Sequence, residues 1–195
     1  MLYIFDLGNV IVDIDFKRVL GVWSRLSGIP LATLSERFRM GKPFEMHERG
    51  EISDEAFADL LCEEMEMPLS FAQFAEGWQA IFIDQRDDTL AVMQRLRQEG
   101  NQVVILSNTN ALHCSYWPAR FPDVGASADR IYLSQELGMR KPEVDIYLHV
   151  LRQEGAKPED ALFFDDHRDN VLSARSIGLP TVHVIDRRTV PDYFR

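Results

Sequence analysis

Cysteine is scarce in this chain. Cys62 and Cys114 are the only two, too few and too far apart for a disulfide framework or a zinc site, so they read as buried thiols in a reducing compartment, by default the cytoplasm. Long apolar runs are missing as well. None approaches the roughly 18 residues of a membrane span, and the first residues enter a strand rather than a leader. Basic charge is short: 21 Lys and Arg face 31 Asp and Glu, a formal net charge of −10. Such a balance argues against a nucleic-acid backbone or an anionic membrane as the main partner. The chain has no repeats and no low-complexity segments. His113, His149, His167 and His183 lack metal-ligand spacing. What is left, 195 residues that are 46% hydrophobic, suffices for one full domain and a smaller inserted one.

The order of elements is more telling. Leu2-Tyr3-Ile4-Phe5 is a short buried strand that ends in Asp6, and Gly8-Asn9 turns the chain just after it. Val10-Ile11-Val12 leads on to Asp13 and Asp15. From about residue 16 to 83 only helices are predicted. The first carries Val19, Leu20, Trp23 and Leu26 and closes at Gly28; a short second opens at Pro30. The third is capped by Ser53, and the fourth has a Ser70/Gln73 capping box and an apolar face running to Ile81 and Phe82. A four-helix bundle is expected there. Beyond residue 84 strands and helices alternate. Val103–Leu106 ends in Ser107-Asn108-Thr109, and Arg130–Leu133 precedes Arg140-Lys141-Pro142, with Pro142 predicted in the first turn of the next helix. Ala161–Phe164 ends in Asp165-Asp166, and Thr181–Ile185 follows a helix to Gly178. The predicted fold is α/β, a Rossmann-like, doubly wound parallel sheet built from residues 1–15 and 84–195. Residues 16–83 form the inserted helical cap.

Ligands of open parallel sheets bind at the carboxyl ends of strands. Asp6, Ser107-Asn108, Lys141 and Asp165-Asp166 all fall at or after such ends. Three carboxylates in one crevice cannot all ionise without a cation. An all-oxygen ligand set without His or Cys points to Mg²⁺ rather than zinc. A hydroxyl, an amide and an ammonium facing that cluster make a site for a tetrahedral dianion, phosphate above all.

In this order the motifs, together with His47-Glu48-Arg49-Gly50-Glu51-Ile52-Ser53, resemble the haloacid dehalogenase superfamily of phosphohydrolases over nearly the whole chain. Within it they are most similar to the sugar phosphatases that act on α-D-glucose 1-phosphate. The resemblance implies Asp6 as the nucleophile that forms an aspartyl-phosphate. It implies Mg²⁺ between the Asp6 carboxylate, the Gly8 carbonyl and Asp166, with Asp165 either a water-mediated ligand or a partner holding Lys141. Ser107 and the Asn108 N–H would bind the phosphoryl oxygens, and Lys141 would supply a fixed positive charge. The substrate would be a small phosphorylated metabolite, and the chain a monomer.

One departure stands out: the second aspartate that most phosphatases of the superfamily carry two residues after the nucleophile is Gly8 here, so the general acid–base group is missing. Asp13 and His47 are the candidate substitutes. His47, Glu48 and Arg49 are the polar residues expected to face the substrate, and Trp117 is a candidate for stacking on a sugar. Two rival readings remain. A haloacid dehalogenase would fit Gly8 but gives no use to Asp165-Asp166. A catalytically weak sugar-phosphate-binding regulator would bind without turnover. A phosphoaspartate receiver domain has its acidic pair early in the chain and no such insertion, so the motif order excludes it.

Overall fold

The structure is a computed structural model that describes residues 1–195. Its centre is β1 (Leu2–Phe5), paired with a strand along each edge, with Leu2, Ile4 and Phe5 buried. After β1 come β2 (Val12–Ile14) and five helices: α1 (Phe16–Ser27), α2 (Leu31–Arg37), α3 (Lys42–Glu48), α4 (Asp54–Glu64) and α5 (Phe71–Gln79). The chain then returns through β3 (Phe82–Gln85) into α6 (Asp87–Gln98) and β4 (Gln102–Ser107). Three short helices, α7 (Ala111–Cys114), α8 (Trp117–Arg120) and α9 (Pro122–Ala126), lead to β5 (Arg130–Leu133) and α10 (Ser134–Leu137). The remainder is α11 (Val144–Gln153), β6 (Ala161–Asp165), α12 (Arg168–Ser176), β7 (Thr181–His183) and α13 (Thr189–Tyr193).

The main sheet has the order β5-β4-β1-β6-β7, and all its pairs are parallel. Crossing from β1 to β4 on one side and placing β6 on the other opens a crevice at the carboxyl end of β1. Alternation along β1 divides the core. Leu2 and Ile4 pack with Ile146, Tyr147 and Val150 of α11 on one face. Phe5 joins Val103, Ile105 and the α6 residues Leu90, Met93 and Leu96 on the other. The α/β Rossmann-like fold is thus the one the strand-and-helix alternation predicts.

The structure differs from expectation in three places, two of them in the insertion. The insertion contains five helices, not four. The extra one, α3, has Gly41 as N-cap and Pro43 in its first turn, where a proline's missing N–H costs nothing. Ile81 and Phe82 do not continue the last helix, which stops at Gln79; Phe82 instead pairs with Ile14 as β2 and β3 run antiparallel. Pro142 lies outside its helix, which begins at Val144 behind Glu143. The caps expected at Ser53 and Ser70 are found, and Asp15 adds another. Asp15 caps α1 by accepting from Lys17 N at 2.8 Å, Ser53 caps α4, and Ser70 and Gln73 close a capping box on α5. Gly77 lets α5 approach α1 closely, since a Cβ there would lie 2.2 Å from the Trp23 ring. Around that contact Trp23, Phe57, Phe74 and Trp78 form a buried aromatic centre continuous with the sheet's core.

Candidate functional site

Register builds the site. Phe5 is level with Ile105 on one neighbour and Phe164 on the other, so the next residue of each strand, Asp6, Leu106 and Asp165, falls on one line. Asp6, Asp165 and Asp166 each offer a carboxylate oxygen, and these oxygens all lie within 4.8 Å of one another. Lys141 enters between them from the loop after α10. Its Nζ donates to Asp6 Oδ1 at 2.6 Å, to Asp165 Oδ2 at 2.7 Å and to the Leu106 carbonyl at 3.1 Å. The lysine is 1% exposed.

Three carboxylates and one ammonium leave a surplus of buried negative charge. Burial pushes the Asp6 carboxyl well above the usual carboxylate range, and Asp165 and Asp166 add to the shift although Lys141 opposes it. Asp166 is raised by burial and by Asp165. Burial alone would lower the Lys141 ammonium, but Asp165 and Asp6 hold it above its ordinary value. A cation among these oxygens would relieve the repulsion. The carboxylate oxygens of Asp6, Asp165 and Asp166 are hard donors, which suit Mg²⁺.

The neighbouring amides fix these groups. Asp165 is saturated: its Oδ1 accepts from His167 N at 2.7 Å and Asn170 Nδ2 at 3.0 Å, while Oδ2 takes Lys141. Of the two roles the sequence left open for it, this geometry is that of the residue holding Lys141. The Asn108 side chain clamps the Lys141 backbone in both directions, each bond 2.8 Å. Ser107 is buried and lines the cavity, its hydroxyl reaching only the Asn108 carbonyl, at 3.4 Å. Asn9 adopts φ 53°, donates to Asp166 Oδ2 at 3.2 Å and accepts from Ile14 N at 3.2 Å. Neither Asn9 nor Asn170 was singled out from the sequence. The Gly8-Asn9 turn was the only available signal for the former, because Asn is among the few residues that tolerate a left-handed backbone.

Except for Asp165, which lies behind them, these residues line the floor of a cavity of about 580 Å³. Its opposite wall comes from the insertion and is mainly apolar, with Leu20, Phe16 and Phe44. Several expectations fail here. Asp13 is no substitute proton carrier, since it pairs with Arg86 at 2.8 Å and Arg187 at 3.1 Å and does not line the cavity. His47 is no substitute either: it is buried in the insertion, stacked on Phe57 and bonded to Asp54 at 2.7 Å. Arg49 pairs with Glu143 outside the cavity, so Glu48 alone of the His47-Glu48-Arg49 trio lines it. Trp117 is 2% exposed and belongs to the core, not to a sugar subsite.

A family model for haloacid dehalogenase-like hydrolases matches residues 1–178. Among characterised proteins, a D-ribitol-5-phosphate phosphatase of Bacteroides thetaiotaomicron is 26% identical over 185 residues, covering 91% of this chain and 88% of that protein. A phosphatase of Mycobacterium tuberculosis is 24% identical, covering 94% of this chain and 86% of its own. Among solved structures, a haloacid dehalogenase family enzyme of Bacteroides thetaiotaomicron in complex with magnesium and inorganic phosphate superposes with a TM-score of 0.80 at 29% identity, over 93% of this chain and 92% of that one. With its fold, its strand-end carboxylates and this match over most of its length, the chain belongs to the haloacid dehalogenase-like hydrolases.

Proposed function

We propose that this chain is a Mg²⁺-dependent phosphomonoester hydrolase of small sugar or polyol phosphates, with α-D-glucose 1-phosphate the favoured substrate. One observation carries the reading: three carboxylates meet within 4.8 Å around a buried lysine. That surplus suits a divalent ion and a phosphoryl group better than it suits folding. The likeness to a magnesium and phosphate complex and to a ribitol-phosphate phosphatase supports the same class.

Asp6 attacks phosphorus in line, the bond to the ester oxygen breaks, an aspartyl-phosphate forms, and the departing oxygen takes a proton from water to leave as the alcohol. Water then attacks that phosphorus, releasing inorganic phosphate and the free Asp6 carboxylate. Asp6, Asp166 and the Gly8 carbonyl would hold the magnesium ion, which when bound would supply charge neutralisation to the transferring oxygens. Ser107 and the Asn108 N–H bind those oxygens, and Lys141, fixed by Asp165 and by the Asn108 clamp, keeps a positive charge beside them. The insertion acts as a cap, covering the crevice and limiting water.

Gly8 supplies no side chain to protonate the leaving oxygen. General acid help is typically worth about 10²–10⁴-fold, and a hemiacetal oxygen, being more acidic than an alcohol, needs less of it. This is why a glycosyl phosphate is favoured over an alkyl one. A phosphate-release screen with Mg²⁺ over glucose 1-phosphate, ribitol 5-phosphate and simple alkyl phosphates tests the proposal, with Asp6→Asn as the control. Release from a sugar or polyol phosphate that vanishes in Asp6→Asn supports it. No release from any ester contradicts the phosphatase reading, and equal rates on alkyl phosphates contradict the preference.

A further inference from the structure

Beyond the phosphoryl floor the cavity offers a leaving group mostly apolar surface, and most polar side chains at that end are already committed. Asp15 is spent on capping α1. Asn110 and His113 bond each other, and His113 also bonds the Trp78 carbonyl at 3.0 Å. Lys17 is exposed at the rim. Glu48 and Arg140 differ from these. Glu48 ends α3, is 7% exposed and uses one carboxylate oxygen, Oε2, to accept from Arg140 Nε at 2.7 Å. Its other oxygen has no hydrogen-bond partner in the protein. The Arg140 side chain donates only through Nε, with Glu45 no nearer than 3.7 Å. Glu48 lines the cavity, and its second oxygen is not among the buried atoms left without a partner, so that oxygen opens onto the cavity.

We propose that Glu48 and Arg140 are the specificity-determining pair of this site, reading hydroxyl groups on the alcohol portion of the phosphate ester. The inference rests on the phosphatase reading above and names what selects its substrate. A hydroxyl both donates and accepts, so two neighbouring ones match a vacant carboxylate oxygen and the free guanidinium N–H groups together. A second phosphate would be repelled by Glu48 and an amine by Arg140, so the pair favours a neutral polyhydroxy group. Phe16 and Phe44 supply the apolar surface that the carbon faces of such a group need. Arg140 directly precedes Lys141, so the group that reads the alcohol is tied to the one that balances the phosphoryl charge.

The same seam provides its own control. Arg49 and Glu143 form a second ion pair between insertion and core but do not line the cavity. The test is kcat/KM of wild type, Glu48→Gln, Arg140→Gln and Arg49→Gln. The substrates are α-D-glucose 1-phosphate and D-ribitol 5-phosphate on one side, n-butyl phosphate and p-nitrophenyl phosphate on the other. Glu48→Gln and Arg140→Gln should each lower the ratio of hydroxylated to hydroxyl-free substrate by about 10- to 100-fold, chiefly through KM, as expected for losing a hydrogen bond to a charged group. Arg49→Gln should leave that ratio unchanged. A uniform loss on all four esters in the Glu48 and Arg140 variants, or an equal shift in Arg49→Gln, would reduce the pair to a structural latch and overturn the proposal. Should one variant fold poorly by circular dichroism, the other still decides, because the ratio is taken within a single protein. Failure of this pattern with phosphate release intact leaves the phosphatase reading standing; absence of release from every ester overturns that reading itself.

Discussion

Two buried polar clusters lie on either side of the cavity, and they are built on opposite principles. At the strand ends, Asp6, Asp165 and Asp166 crowd three carboxylates around one ammonium. At the seam between insertion and core, His47, Asp54, Asn110 and His113 are matched almost bond for bond. Asp54 Oδ1 serves His47 at 2.7 Å and Leu112 N at 3.2 Å. His113 lies between Asn110 at 3.1 Å and the Trp78 carbonyl at 3.0 Å, stacked on the Trp78 ring. Burial holds both seam histidines below their ordinary range, His113 down to about 3, so they stay neutral at pH 7. A cluster that satisfies itself is scaffold; one left with surplus charge on a cavity floor is arranged for something that is not protein.

Parallel substitutions sharpen that contrast. The largest effect is expected for Asp6→Asn, which should lower phosphate release by about 10⁴-fold or more while leaving the fold intact. The equivalent change in the seam, Asp54→Asn, should leave kcat within a few-fold and instead lower stability in urea by about 1–3 kcal/mol. Similar activity losses in both would erase the distinction. Next, Lys141→Met removes the only cation from the strand-end cluster. Leaving buried charges uncompensated should cost roughly 3–5 kcal/mol, read as a shift in the urea midpoint.

The third effect is on pH dependence. His113 is neutral when folded down to about 3 but takes up a proton near 6.5 when unfolded. The unfolded chain therefore binds more protons below 6.5, and stability falls as pH drops from there toward 3. Between pH 7.5 and 4.5 the loss from this residue should be about 2–3 kcal/mol. His113→Gln, which can still donate to the Trp78 carbonyl, should remove that part of the slope in urea titrations at the two pH values. An unchanged slope would mean that the seam is not built around a neutral histidine. An effect of similar size is thermal. Mg²⁺ at 100 times its dissociation constant should stabilise wild type by about 2.7 kcal/mol, and Asp166→Asn should lose most of that shift in melting temperature.

The strand-end cluster was legible in the sequence, and the seam was not. Asp6, Ser107 and Asp165 each follow a short apolar run, so strand length alone places them at one edge of a parallel sheet. Lys141 was found from its motif and its proline, although that proline sits before the helix rather than in it. What escaped notice depends on pairings across the chain. Asn9 meets Asp166, 157 positions away, and Asn108 clamps a backbone 33 positions away. No local pattern encodes either. Helix α3 is seven residues with a polar face, too short for its period to show. The polar His47-Glu48-Arg49 run before the Gly50 turn suggests a face on the cavity. In fact Gly50 is pressed against Gln135, whose carbonyl oxygen would lie 2.3 Å from an added Cβ. Phe82 belongs to an apolar run that suits helix and strand equally, and only pairing with Ile14 decides it.

The most direct test of the account is to quench the protein in acid during turnover of α-D-glucose 1-phosphate or D-ribitol 5-phosphate with Mg²⁺, and to map the phosphorylated peptide by mass spectrometry. The account predicts a phosphoryl group on Asp6, absent when a chelator is added before substrate. Turnover with the phosphoryl group on another residue, or with Asp6 never modified at any point of the reaction, would contradict it.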